Sequence, residues 1–161
     1  MDNASSDLLV VGVADIKIGR SPSVIRTVLG SCVAICLYAP SLKVGGMLHF
    51  VMAYSSPHKE QLRCARYCDT GLQELIKQMR AYYKVGAEGL TAKIFGGAHV
   101  IKAISNPIGE ENIAAARQFL DNHGIKIAAS RTGGGKGYRI EFDVASGKVS
   151  CQVFGEPVEE Y

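Results

Sequence analysis

Three side chains whose chemistries could cooperate stand within a short stretch of this chain. Cys32 closes the segment TVLGSC at 27–32, His49 lies beyond an apolar run and a turn, and Thr27 sits five residues before the cysteine. A thiol beside an imidazole is the pairing of nucleophilic catalysis. The thiolate attacks, and the histidine holds and returns the proton. Gly30 and Ser31 put Cys32 at a strand edge next to a turn, where backbone N–H groups are free to hold an oxyanion. Thr27 could orient the imidazole as a third member. Each residue also has a plainer reading: a cysteine in an apolar run packs as a small hydrophobe, a strand histidine finds a local partner, and threonine is an ordinary β-branched strand residue.

A hairpin must bring the first two together. Residues 33–38 (VAICLY) and 44–51 are rich in β-branched and aromatic side chains, and residues 39–42 (APSL) form a four-residue loop between them. If Tyr38 faces Lys43, the same register sets Cys32 opposite His49, with Cβ atoms about 4.5–5.5 Å apart. A one-residue slip would move them to opposite faces.

The remaining pattern supplies a frame. Residues 8–13, 15–18 and 24–28 read as strands, with Gly12 a possible bulge. From Lys59 to Tyr83 the residues Leu62, Ala65, Cys68, Leu72, Leu75, Ile76, Met79 and Tyr83 fall on one helical stripe. Residues 92–95 form a strand ending in Gly96 and Gly97, small residues that let a backbone or a substrate chain come close. A second helix runs from about Gly109 to His123, with Ile113, Ala116, Phe119, Leu120 and His123 inward and Gly124 as its stop. Residues 125–129, 138–144 and 149–154 close the chain as strands. Seven or eight strands, mostly in hairpin-like neighbours, with two main helices give an α+β layered sandwich. No linker or repeat interrupts it, so residues 1–161 read as a single domain.

Composition excludes several classes. A net charge of +3 without a basic block argues against nucleic acid as the main partner. The apolar runs are strand-sized, so no membrane insertion is expected. The polar first residues carry no signal peptide, and five cysteines without scaffold spacing fit free thiols in a cytoplasmic protein. Cys64 and Cys68 are half a metal site with no second pair, and His58, His99 and His123 are scattered, so no metal is assigned. Cys36 fits the core better than chemistry. A redox role lacks a CxxC motif. The glycine-rich run at 133–137 lacks the phosphate-loop pattern and opens a strand, which makes it a flexible turn.

Together TVLGSCVAICLY at 27–38, GGMLHF at 45–50, AKIFGGA at 92–98 and IGEEN at 108–112 resemble the CheD family of chemoreceptor glutamine deamidases, in order from about residue 9 to 154. The resemblance implies a cysteine hydrolase similar to toxin-type deamidases, needing no cofactor. Cys32 would be its nucleophile, His49 its base and Thr27 its third member. In some relatives an extra residue separates the threonine from GSC, so the gap-free position here is Arg26, which cannot play the hydroxyl's part. The implied reaction turns glutamine side chains of methyl-accepting chemotaxis receptors into glutamate. A methylesterase side activity and docking to a CheC-type phosphatase are implied as well; a non-catalytic module binding both partners is the alternative.

Overall fold

The computed structural model describes residues 6–56, 63–101 and 107–161. The chain runs β1 (Leu8–Val10), β2 (Asp15–Arg20), β3 (Val24–Leu29), β4 (Val33–Ala39), β5 (Val44–Phe50), α1 (Cys68–Tyr83), β6 (Thr91–Gly96), α2 (Ile108–Asn122), β7 (Lys126–Thr132), β8 (Tyr138–Asp143), β9 (Val149–Val153) and β10 (Glu159–Glu160). Two five-stranded sheets result, in the orders β1-β3-β8-β9-β10 and β2-β5-β4-β6-β7. Most neighbours are antiparallel; β1 with β3 and β6 with β7 are parallel. The expected α+β layering with two main helices is therefore present, with ten strands among the described residues rather than seven or eight. None of the described helices is long and apolar enough to cross a membrane.

The central strands β4 and β5 carry both cores. Val33, Ile35 and Leu37 of β4 and Leu48 and Phe50 of β5 face the helices, meeting Leu72, Leu75 and Met79 of α1 and Ala116 and Leu120 of α2. Ala34, Cys36 and Met47 face the other sheet and pack on Ile25, Ile140 and Phe142. Alternation along an extended chain generates this division, and burial of both faces explains why β4 and β5 read as nearly unbroken apolar runs. Gly45 and Gly46 leave room for neighbours on both sides: a Cβ would meet the Phe142 ring at Gly45 and Leu75 at Gly46.

The long helix begins later than its stripe suggests. Cys64–Arg66 is a short 3₁₀ turn, and Tyr67 is extended, with φ −117° and ψ 145°. Tyr67 bridges to Met52, and the Val51 and Met52 N–H groups both donate to the Arg66 carbonyl. Pairing with the end of β5 thus overrides the helical pattern up to Cys68. The start expected at Lys59, along with Leu62 and His58, lies outside the described residues. In α2 Ala116 and Leu120 are buried as expected and Ile113 and Phe119 pack at the margin of the core, while Gly109, Asn112 and Ala115 extend the buried face to one side. Gly12 belongs to the loop joining β1 to β2 and makes no bulge within a strand.

Candidate active site

The hairpin turn is displaced by one residue. Ala39 stays in β4, buried and paired with Val44, so the turn is Pro40 to Lys43, closed by Leu42 N–H donating to the Ala39 carbonyl and by Lys43 at φ 49°. Tyr38 consequently faces Gly45, and His49 faces Ala34 rather than Cys32. The shift is two residues in register, which preserves the face. Cys32, two residues before Ala34, is His49's diagonal neighbour, a relation spanning about 7–8 Å between backbones and within reach of long side chains. It packs against the sheet–sheet core, on the side where His49 points.

His49 is held by a chain of hydrogen bonds whose direction can be worked out. Its Nδ1 lies 2.9 Å from Thr27 Oγ1, which lies 2.8 Å from the Val11 carbonyl oxygen. The carbonyl can only accept, and a hydroxyl has one proton, so Thr27 donates to Val11 and accepts from Nδ1–H. The neutral imidazole therefore keeps its lone pair on Nε2. That atom is buried and has no hydrogen-bond partner among the described residues. Burial lowers the His49 pKa to about 4, with the Asp15 carboxylate of β2 opposing in part. Asp15 faces His49 across the ladder but spends its oxygens on the Gly12 and Ile16 N–H groups and on Lys17.

Thr27 reaches the imidazole because β3 alternates: Ile25, Thr27 and Leu29 point inward, and Arg26 and Val28 outward. Arg26, the gap-free candidate, is on the solvent side, where its ladder partner is Glu141.

The turn carrying Cys32 is anchored by all three of its carbonyls. Gly30 O accepts from Ala98 N–H at 2.9 Å, Ser31 O from Asn112 Nδ2 at 3.1 Å, and Cys32 O from Gly97 N–H at 2.9 Å. The N–H groups of Ser31 and Cys32 donate to no other described residue, and the Cys32 N–H lies toward its own sulfur. Gly96 and Gly97, at φ 102° and 73°, make this anchoring possible. A Cβ on Gly96 would strike the Cys32 carbonyl, and one on Gly97 would strike Ile113. The close approach these glycines permit is to the nucleophile's own turn and to α2. Burial pushes the Cys32 thiol up, while the Arg66 charge and the cysteine's own N–H pull it down. Burial favours the uncharged form of both thiol and imidazole.

Two clefts among the described residues are lined by site residues, one of them by the turn. One, of about 340 Å³, is lined by Gly30, Ser31, Gly97 and the first residues of α2; the other, of about 480 Å³, by Thr27, His49, Gly12 and Arg139. The glycine-rich turn is not the free loop expected: Gly133 N–H donates to Gly96, and Gly134 O accepts from His99 N–H. Cys36 is buried and its thiol raised by desolvation; burial lifts Cys68 to about 12 and Cys151 to about 11. Among the described residues no three His, Cys, Asp or Glu gather as a metal site. Asn112 and Arg66 were not singled out from sequence as site residues. Nothing local pointed to either, since the stripe expected of α2 passed beside Asn112.

The CheD family profile, described as chemotactic sensory transduction, matches residues 52–153. A probable chemoreceptor glutamine deamidase CheD of Desulforamulus reducens is 35% identical over 92% of this chain and 92% of its own length. One from Thermococcus kodakarensis is 41% identical over 86% and 88%. The chemoreceptor glutamine deamidase CheD of Thermotoga maritima is 34% identical over 91% and 92%.

Proposed function

The chain belongs to the CheD family, and from that membership we propose that it deamidates glutamine side chains of methyl-accepting chemotaxis receptors, with Cys32 as nucleophile, His49 as base and Thr27 orienting the imidazole. One observation carries the assignment of roles. The Val11–Thr27–His49 chain leaves Nε2 as a buried lone pair, without a partner among the described residues, on the face that Cys32 shares.

The chemistry follows from protonation. Thiol and imidazole both rest neutral, so the proton passes from Sγ to Nε2 as sulfur attacks the side-chain carbonyl, in general-base catalysis worth about 10²–10⁴-fold. Thr27 accepts the Nδ1–H bond throughout and stabilises the imidazolium. The Ser31 and Cys32 N–H groups receive the oxyanion; in comparable sites one such donor is worth about 10²–10³ in kcat. His49 then protonates the departing amine, ammonia leaves, and a thioester remains on Cys32. Water, losing a proton to the same Nε2, adds to the thioester; collapse releases glutamate and returns the proton to sulfur. Every step uses groups of this chain, the substrate and water.

A methyl ester of glutamate presents the same acyl carbon with methanol leaving, so glutamate methylesterase activity belongs to the reading. So do a single deamidase domain over 1–161, a cytoplasmic location beside the receptors' signalling regions, a relation to toxin-type cysteine deamidases, and docking to a CheC-type phosphatase. The test is mass spectrometry of a cognate receptor's cytoplasmic fragment after incubation with wild-type protein or Cys32→Ala. Conversion of glutamine to glutamate by the wild type alone is expected; conversion by both would remove Cys32 from the reaction.

A further inference from the structure

Among the described residues the reaction scheme leaves two buried polar side chains unused, Ser23 and Asn112, and it is Asn112 that bonds to the turn carrying Cys32. It sits in the second turn of α2, 1% exposed, amid an otherwise apolar stripe. Its Nδ2 donates to Ser31 O at 3.1 Å and to Val51 O at 2.8 Å. Both amide hydrogens are therefore spent, one on the nucleophile turn and one just past β5, at the residue that continuation of the ladder sets opposite Cys32. The helix comes this close because Gly109, one turn earlier, packs on Gly97: a Cβ there would strike the Gly97 carbonyl.

We propose that Asn112 is a positioning residue for the deamidation: by holding the Ser31 carbonyl it aims the Cys32 N–H at the oxyanion. Peptide planarity carries the argument. The C=O of Ser31 and the N–H of Cys32 belong to one trans peptide and point in opposite directions, so fixing the oxygen fixes the donor. The neighbouring peptides are held by backbone donors of Ala98 and Gly97. This peptide alone depends on a side chain. Asn112 is also a poor choice for packing. Its Oδ1 is buried without a partner among the described residues, which costs about 1–3 kcal/mol. A leucine of the same branched shape would avoid that cost but would supply no N–H for Ser31. The amide is present for its donors. The inference rests on Cys32 being the nucleophile.

The experiment compares wild type, Cys32→Ala, Asn112→Leu and Asn112→Ser on a receptor cytoplasmic fragment, with thermal melts of each. Alkylation of Cys32 by iodoacetamide is measured in parallel on the three proteins that retain the thiol. Alkylation needs a reactive sulfur but no oxyanion donor. Asn112→Leu is expected to lower kcat by about 10²-fold, leave KM within about 3-fold and leave alkylation nearly unchanged. Asn112→Ser carries the same test if the leucine variant does not fold. A kcat near wild type overturns the proposal. So does a parallel fall in kcat and alkylation, or unfolding of both variants, which would make the residue structural. Absence of conversion by wild type, or equal conversion by Cys32→Ala, takes down the functional reading and the inference with it.

Discussion

The two faces of the β4–β5 hairpin differ in what they are built to do. Toward the helices, Ile35, Leu37, Leu48 and Phe50, all fully buried, pack with apolar side chains of α1 and α2. Toward the second sheet, the same strands present Ala34 and Met47 in the middle and His49 and Cys32 at one end, with Thr27 reaching across. One face has its requirements met by packing. The other keeps an unpartnered imidazole nitrogen at its edge, a group whose burial costs stability. Stability and reactivity are thus separated by the pleat: side chains one residue apart in sequence serve different ends.

The separation is sharpest in a pair of truncations. Cys32→Ala is expected to lower deamidation by about 10⁴-fold or more while changing unfolding free energy by less than about 1 kcal/mol. Leu72→Ala, at the centre of the helix face, is expected to cost about 2–5 kcal/mol and leave the kcat of the folded fraction near wild type. Urea melts paired with receptor assays check both. If Cys32→Ala were the more destabilising, the division would break.

Next in size is the loss of the base. His49→Gln should lower kcat by about 10²–10⁴-fold. Thr27→Val, which keeps the shape but removes the acceptor for Nδ1–H, should cost about 10²-fold at most, a part of the same contribution. A Thr27→Val enzyme as fast as wild type would show that the tautomer needs no holding.

The pH dependence sharpens the same contrast. His49 in the folded protein titrates at about 4 against 6.5 for the free side chain. The unfolded chain takes up a proton that the folded one refuses, so stability is lost as pH falls from 6.5 toward about 4, by roughly 3 kcal/mol in total. His49→Gln should flatten that portion of the stability curve. The acid limb of kcat/KM should likewise lie near pH 4 rather than near 6.5. A limb near neutrality would mean the imidazole is solvated in the working enzyme. The smallest effect expected is at Arg66: Arg66→Gln should slow Cys32 alkylation at neutral pH only a few-fold, since the charge merely offsets burial.

Much of this arrangement was legible in the sequence because the hairpin confines the choices. Parity along strands put Cys32 and His49 on one face, and it survived the two-residue register shift that Ala39 and Lys43 impose. Thr27, rather than Arg26, fell inward for the same reason: β3 alternates, and only one of two adjacent residues can face the other sheet. What local pattern could not carry was tertiary. The break at Tyr67 depends on pairing with Met52, and Asn112 looks like a helix-surface amide until α2 is laid against the turn at Ser31. The neutral resting state was equally hidden, because it follows from burial of the assembled site rather than from the residue types.

The central claim is that an acyl group passes through Cys32. Acid-quenched single turnover of a receptor fragment, followed by peptide mapping of the protein, tests it most directly. The account predicts a transient adduct on the Cys32 peptide with the substrate's mass less ammonia, decaying as glutamate forms. Glutamate formation with Cys32 unmodified at every time, or with the adduct on another cysteine, would contradict it.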